Sequence, residues 1–153
     1  MGGSVAAGGI DVEISDTKIT GNLTTQAATY VDLVRTSVGG DASLGDSDFG
    51  VSVGGAVVTG SLTVSGTSRD ALIGAKGDGS ADQWGNTVGG ELVLTGNTAN
   101  LQVAGTTVHG AVRLADNAPA ANFGPGNTAG SVEGDLTGTA PVRSWEATSR
   151  SPS

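Results

Sequence analysis

The chain has 153 residues, a net charge of −8 at pH 7 and no cysteine. The excess of acidic residues disfavours binding to nucleic acid and to anionic membranes, and the lack of cysteine excludes disulfides and thiolate metal sites. The 27 glycines and the aromatic fraction of 3% favour turns and short strands in a single domain. No cofactor is expected, because no phosphate-binding, zinc or nucleophile motif is found.

In chain order, one short pattern of the form apolar-x-Gly-x-apolar returns about every 20 residues. Its copies begin at Ile19, Val38, Val58, Val88, Val108 and Val132. A fixed period of this length, with alternating apolar residues inside the copies, indicates one supersecondary unit that is stacked on itself. The repeat therefore predicts an architecture and leaves the chemistry open.

An apolar-x-apolar pair precedes each copy of the pattern. The pairs are Val12/Ile14, Val31/Leu33, Val51/Val53, Ala71/Ile73, Leu101/Val103 and Ala121/Phe123. In four units the interval from pair to copy is constant, as from Ile14 to Ile19. The two longer intervals predict loop insertions at 74–87 and 124–131, which is how loops behave on a solenoid.

The alternation within each copy separates a core side from a solvent side. Val58, Leu62 and Val64 fall on one side, and Thr59 and Thr63 fall on the other. Stacking the copies gives two apolar columns, Val12/Val31/Val51/Ala71/Leu101/Ala121 and Leu23/Ala42/Leu62/Leu92/Val112/Leu136. A glycine column at 21, 40, 60, 90, 110 and 134 marks either a bend or a close approach of two backbones.

These columns predict an all-β fold, a single-stranded right-handed parallel β-helix (β-solenoid) of about six rungs with ~20 residues per rung. An antiparallel sandwich of hairpins is the alternative, although hairpins do not require so constant a register. The predicted divisions are a flexible segment 1–9, the β-helix 10–136 and a tail or cap 137–153. Neither end offers an obvious cap. We expect either that Trp145 folds back as a lid over the last rung, or that a neighbouring domain or another copy of the chain covers the end.

Two phrases in the second half of the chain carry a family resemblance. Gly85-Asn-Thr-Val88-Gly-Gly90 and Gly126-Asn-Thr, with Leu92-Val-Leu-Thr-Gly-Asn97 between them, resemble the repeats of secreted parallel β-helix proteins common in actinobacteria. The resemblance covers roughly residues 10–136 and implies the fold. Most such proteins are uncharacterised secreted or surface proteins, so it implies a location outside the cell and little about activity. Such relatives often end in a cysteine-containing rung, which this chain lacks.

A lyase or glycosidase on such a fold would need acid and base groups on one outer face. The candidate catalytic residues are Glu91, His109, Arg113 and Asp116, which neighbouring rungs would place on one outward sheet near the 74–87 insertion. The ordinary alternative is that these side chains are simply solvated. We therefore expect a non-enzymatic protein, with a polysaccharide lyase or glycosidase as the alternative.

The 74–87 insertion is the candidate ligand-binding loop. Trp84 could stack on a sugar ring while neighbouring amide and carboxylate groups bond the hydroxyls, or it could pack onto the tube. The other candidate binding residues are Lys76, Asp78, Asp82 and Gln83. Asp46 and Asp48 offer oxygen ligands of the kind that calcium prefers, although aspartate also marks ordinary turns.

A structural role is the function that these features favour: a β-solenoid module that assembles, or a stalk that presents recognition loops. Glycan binding and ice binding are the alternatives. Outward pairs such as Thr59 and Thr63 fit an ice-binding face, but Glu91 and Arg113 interrupt the array. The start at Met1-Gly-Gly-Ser4 lacks the basic and apolar regions of a signal peptide. We expect an extracellular or cell-surface location, with a cytoplasmic one left open.

Overall fold

A computed structural model describes residues 3–76, 84–98 and 100–143. Within these ranges no residue is helical, and the chain forms short strands. The strands are β1 (Val5–Gly8), β2 (Asp11–Ser15), β3 (Lys18–Ile19), β4 (Leu23–Gln26), β5 (Tyr30–Val34), β6 (Ser37–Val38), β7 (Ala42–Gly45), β8 (Val51–Gly54), β9 (Val57–Val58), β10 (Leu62–Ser65), β11 (Ala71–Ile73), β12 (Asn86–Val88), β13 (Leu92–Thr95), β14 (Leu101–Val103), β15 (Thr106–Val108), β16 (Ala111–Ala115), β17 (Ala121–Phe123), β18 (Thr128–Ala129), β19 (Ser131–Glu133), β20 (Leu136–Gly138) and β21 (Val142–Arg143).

The strands form three parallel sheets, and each turn of the chain adds one strand to each sheet. Sheet A contains β1, β4, β7, β10, β13, β16 and β19; sheet B contains β2, β5, β8, β11, β14, β17 and β20; sheet C contains β3, β6, β9, β12, β15, β18 and β21. The result is a three-sided parallel β-solenoid of about six turns. The predicted parallel β-helix is confirmed and the antiparallel sandwich is wrong. The right hand stays a prediction from the crossover rule.

The core is built from stacked columns of aliphatic side chains, as the alternation predicts. In sheet A, Leu62 pairs with Ala42 on one side and Leu92 on the other, and all three are fully buried. In sheet B, Val31 and Val51 form another such buried pair. Each buried aliphatic side chain is worth about 1.5–3 kcal/mol, and a single turn cannot bury its own apolar face. Stability therefore comes from the stack.

The last repeat follows a register that differs from the predicted one. Val112 pairs with Val132, whereas Leu136 pairs with Ala121 in sheet B. The corner is one residue shorter here, because Ala129-Gly-Ser-Val132 fills the place that Val108-His-Gly-Ala-Val112 fills one turn earlier. The string from Val132 to Leu136 imitates the pattern without occupying its position, and the second predicted apolar column is wrong at its last residue.

The solenoid extends beyond both of its predicted ends. Strand β1 lies in the predicted flexible segment 1–9 and pairs with β4, while β20 and β21 continue sheets B and C into the predicted tail 137–153. The predicted insertion 124–131 likewise holds β18 and the start of β19. These segments contain too few bulky apolar residues to signal a strand, so backbone pairing with the adjacent turn defines them instead. Residues 144–153, and with them the predicted Trp145 lid, lie outside the described ranges.

A column of glycines forms the corner between sheets C and A. The N–H of Gly110 donates to the carbonyl of Gly90 at 2.9 Å, and that of Gly90 donates to Gly60 at 2.8 Å. A Cβ on Gly110 would lie 2.6 Å from the Gly90 carbonyl oxygen. The glycines therefore mark a close approach of backbones. The column contains Gly21, Gly40, Gly60, Gly90, Gly110 and Gly130; the predicted Gly134 is not part of it.

Side chains next to this column hydrogen-bond to the following turn. An oxygen of Asn22 accepts the N–H of Asp41 at 2.8 Å, and Asp41 accepts the N–H of Ser61 at 2.9 Å. Ser61 in turn accepts the N–H of Glu91 at 3.0 Å. Short polar side chains thus satisfy backbone donors at an exposed corner. The series ends at Glu91, whose carboxylate accepts a hydrogen bond from Arg113 instead of from the backbone of the next turn.

The asparagines of the Gly-Asn-Thr phrases hydrogen-bond to backbone groups at the corner between sheets B and C. Asn86 is 3% exposed; its Oδ1 accepts the N–H of Ala56 at 2.9 Å, and its Nδ2 donates to the carbonyl of Val53 at 3.0 Å. Asn127 makes the same two bonds to the turn before it, at 3.1 and 2.9 Å. The asparagines of these phrases therefore serve the fold.

Candidate functional site

Of the four predicted catalytic residues, the structure joins Glu91 and Arg113. Nε of Arg113 donates to Oε2 of Glu91 at 2.9 Å, and Nη1 of Arg113 donates to Glu133 on the other side. The hydrogen bond to Glu91 and the charge of Glu133 raise the pKa of Arg113 above its usual value. A guanidinium between two carboxylates has no proton to exchange at neutral pH. These exposed ion pairs connect three successive turns and do not form an acid–base pair.

His109 and Asp116 lie apart from these ion pairs. His109 lies at the corner between sheets C and A, and Asp116 follows β16 at the opposite edge of sheet A. The length of β16 separates them by roughly 16 Å, beyond the ~5–10 Å over which two carboxylates act on one glycosidic bond. Both are exposed, and neither has a side-chain hydrogen bond or ion pair with another described residue.

In the predicted ligand loop, Trp84 packs against Arg35, which lies two turns earlier. The guanidinium carbon is 4.9 Å from the centroid of the indole ring, and Trp84 is 36% exposed. Gly55 lies between them along the stack and donates its N–H to the carbonyl of Trp84 at 3.3 Å. The chain itself therefore covers one face of the ring, the arrangement expected when tryptophan packs onto the tube.

Asp16 continues this stack toward the N-terminus. It accepts hydrogen bonds from Nε and Nη2 of Arg35 at 2.5 and 2.7 Å, and the bonding lowers the pKa of Asp16 below 3.8. Asp16 and Arg35 have φ values of 50° and 47°, a region that residues other than glycine rarely adopt. The Asp16–Arg35–Trp84 stack thus lies along the corner between sheets B and C.

Arg35→Gln is expected to raise the pKa of Asp16 back toward 3.8, because the guanidinium that stabilises the carboxylate is lost. A lowered native pKa contributes stability that is present above pH 3.8 and is lost as pH falls through the native pKa. The stability of the variant should therefore no longer include the pH-dependent contribution of Asp16. A ¹³C NMR titration of the Asp16 carboxyl measures the shift, with Arg113→Gln as the matched control. An unchanged pKa in Arg35→Gln would contradict the stack.

The remaining predicted site residues are not brought together in the described ranges. Lys76 is exposed at the edge of the described part, and Asp78, Asp82 and Gln83 lie outside it. Asp46 and Asp48 are exposed, and Asp46 accepts a hydrogen bond from Gln26. Among the residues that the structure describes, no group of three or more histidine, aspartate or glutamate side chains converges on a possible metal position.

The outward column of sheet A is irregular, which bears on the ice-binding alternative. Its residues in register are Ala6, Thr24, Ser43, Thr63, Val93, Arg113 and Glu133. Hydroxyl groups occupy the second to fourth of these positions, and apolar or charged groups occupy the others. The face therefore offers no continuous array of threonines.

A recess on the outer face of sheet B was not predicted from the sequence. Its volume is about 290 Å³, and it is lined by Tyr30, Phe49, Val51, Arg69, Asp70 and Leu72. Phe49 is 58% exposed, and the guanidinium carbon of Arg69 lies 5.5 Å from its ring centroid. Tyr30 extends over Gly50, where an added Cβ would be 3.5 Å from the tyrosine ring. The sequence signal was three bulky apolar side chains at outward positions of adjacent turns.

A second recess lies at the N-terminal end of the solenoid. Strands β1, β2 and β3 are the first described strands of the three sheets, and no described strand pairs with the outer edges of β1 and β2. They enclose about 480 Å³, with a lining that includes Val5, Ala7, Ile10, Val12, Ile14 and Ile19. Ile10 is 59% exposed at its rim. This end is therefore open and largely apolar.

No protein-family model, no curated protein and no solved structure matches this chain. No helix in the described ranges is long and apolar enough to cross a membrane. The features that bear on its function are the recess on sheet B and the recess at the N-terminal end.

Proposed function

We propose that this chain is a structural module, a short β-solenoid rod that associates end to end with further copies of itself. The observation that carries the proposal is the N-terminal end, where the outer edges of β1 and β2 have no partner strand among the described residues and border a largely apolar recess of about 480 Å³. Unpaired edges are templates for pairing with another chain, and solenoids normally cover them with a cap. The end of a second copy would supply that cover.

The strand order supports this choice of partner. At the far end, sheets A, B and C finish with β19, β20 and β21, which run parallel to β1, β2 and β3. If one copy follows another, each sheet continues with parallel pairing, and Val132 and Leu136 come to lie over Val5 and Val12. Such a head-to-tail contact is heterologous and leaves a free end on every product, so it generates filaments.

Acidic side chains at both ends should oppose this association at low ionic strength. Asp11 and Glu13 are exposed on β2, and Glu133 and Asp135 are exposed at the other end. Like charges repel across such a contact, and salt screens them with a Debye length of about 10 Å at 0.1 M. We therefore expect association to increase with ionic strength.

A rod of this kind also leaves the outer faces of its sheets available, which fits a stalk that presents recognition groups. A location outside the cell or on its surface, implied by the resemblance to secreted solenoids, belongs to the same proposal. An enzymatic role has less support, because Glu91 and Arg113 pair with each other while His109 and Asp116 lie elsewhere.

Ile10→Ser is expected to reduce end-to-end association at least about tenfold, because it removes an exposed apolar side chain from the rim of the recess. Light scattering across a concentration series, at low and high salt, measures the change. Val57→Ser is the matched control, since Val57 is also an exposed β-branched aliphatic side chain (47%) but lies in sheet C, away from the N-terminal end.

Ala6→Pro provides a second test at the strand edge. The N–H of Val5 donates toward β4 at 2.8 Å, so the alternating pattern of a parallel strand turns the N–H of Ala6 outward. Proline at this position removes the N–H that a second copy would bond, so end-to-end association should weaken while the pairing of β1 with β4 remains. A monomeric parent protein at all concentrations, or equal losses of association in Ile10→Ser and Val57→Ser, would contradict the proposal.

A further inference from the structure

The sheet B recess is an apolar interruption in an otherwise polar outer face. The outward positions in register along sheet B are Glu13, Asp32, Ser52, Leu72, Gln102, Asn122 and Thr137. Leu72 is the one aliphatic residue of this column, and the rings of Tyr30 and Phe49 lie beside it in the recess. Gly50 lies between Tyr30 and Asp70 along the stack, where an added Cβ would lie 2.7 Å from the carbonyl oxygen of Asp70.

Carboxylates surround this apolar surface. Asp70 lines the recess, and Glu13 and Asp32 pair side by side at the next outward column. Burial raises the pKa of Tyr30, and the charges of Asp32, Glu13 and Asp70 raise it further, while a hydrogen bond with Ser52 acts in the opposite direction. The tyrosine hydroxyl therefore senses a negative potential from three carboxylates. Among the described residues that line the recess, Arg69 is the one cation.

We propose that this recess binds a small organic cation, an alkylated ammonium or guanidinium compound, through the rings of Tyr30 and Phe49 and the carboxylate of Asp70. An aromatic face attracts a cation that lies within about 6 Å of its centroid, and a nearby carboxylate adds Coulomb attraction. Arg69 over Phe49 demonstrates the preference within the chain itself. The volume of about 290 Å³ accommodates a small organic cation such as tetramethylammonium.

The charge balance favours a cation over the other small ligands. An anion would meet Asp70, Asp32 and Glu13 with a single opposing guanidinium. A neutral sugar could stack on Phe49, but it would gain nothing from the negative potential at Tyr30. A cation uses both the rings and the potential.

Tyr30 provides the readout, because it is the only tyrosine in the chain. We would follow its ring protons by NMR while adding tetramethylammonium chloride at constant ionic strength, with tert-butanol as the neutral compound of the same shape and methyl glucoside as a sugar. The proposal expects saturable shifts with tetramethylammonium alone. It also expects the bound cation to lower the pKa of Tyr30, because its charge offsets the three carboxylates.

Variants locate the binding on the recess. Asp70→Asn should weaken the affinity for tetramethylammonium about three- to fivefold, as expected for one exposed charge, while Asp116→Asn at the other end of the solenoid leaves it unchanged. Phe49→Leu, which keeps an apolar side chain and removes the ring, should weaken it as well. An equal response to tert-butanol, a response to methyl glucoside alone, no response to tetramethylammonium, or equal effects of Asp70→Asn and Asp116→Asn would each overturn the proposal.

Discussion

Gly110→Ala is expected to lower the free energy of unfolding by about 2–3 kcal/mol, a large effect for the addition of one methyl group. The new Cβ would lie 2.6 Å from the carbonyl oxygen of Gly90 and 3.0 Å from its carbon. Both atoms belong to a backbone that is itself hydrogen-bonded to Gly60, so neither can move without breaking the ladder. Urea denaturation followed by circular dichroism measures the loss.

Gly96→Ala is the matched control for this prediction. Gly96 has a φ of 67°, and the nearest atom to an added Cβ is the nitrogen of Gly66 at 3.9 Å. The same substitution there adds backbone strain of about 1 kcal/mol without a collision. If Gly110→Ala costs no more than Gly96→Ala, the glycine column does not mark a backbone contact.

Asn86→Ala is expected to destabilise the protein by about 1–3 kcal/mol, since it leaves the buried N–H of Ala56 without its partner and removes one of the two hydrogen bonds to the carbonyl of Val53, which still accepts from Gly74. The N–H of Ala56 and the carbonyl of Val53 would lose bonds of 2.9 and 3.0 Å at a site that is 3% exposed. Asn86→Asp should cost at least as much at neutral pH, because it keeps the acceptor, removes the donor and buries a charge. Thermal melts of both variants at pH 4 and pH 7 test this.

Asn122→Ala serves as the control, because its side chain lies on the outer face of sheet B. Its amide donates to Gln102 at 2.5 Å in a partly exposed position, where the net value of a hydrogen bond is about 0.5–1 kcal/mol. Comparable losses at Asn86 and Asn122 would contradict the structural role of the Gly-Asn-Thr phrases. A gain in stability of Asn86→Asp at pH 4 relative to pH 7 is expected, since protonation removes the buried charge.

The internal repeat made the architecture predictable from sequence. Alternation placed Val31, Leu62 and Leu92 in the core, and the constant interval from pair to copy fixed the parallel register. The register failed only where spacing changed: the corner before Val132 is one residue short, and a chance valine-x-glycine string next to it imitates the pattern. Terminal strands such as β1 were not predicted, because they contain few bulky apolar residues and are defined by backbone pairing with the neighbouring turn.

The site features were less predictable, because they depend on side chains from different turns. Arg35 and Trp84 meet only because Gly55 leaves space between them at one corner. Phe49 and Arg69 occupy equivalent places in adjacent turns, but nothing in either local sequence indicates that the two side chains stack. These contacts depend on how the turns align in the stack. The sequence pattern within a single turn does not contain that information.

The direct test of the assembly proposal is cryo-electron microscopy of the purified chain at high ionic strength and high concentration. Our account predicts rods several units long, in which the strand spacing of about 4.8 Å continues across each junction and the three-sided cross-section is preserved. Single solenoids at every concentration, or solenoids that pack side by side through their flanks, would contradict it.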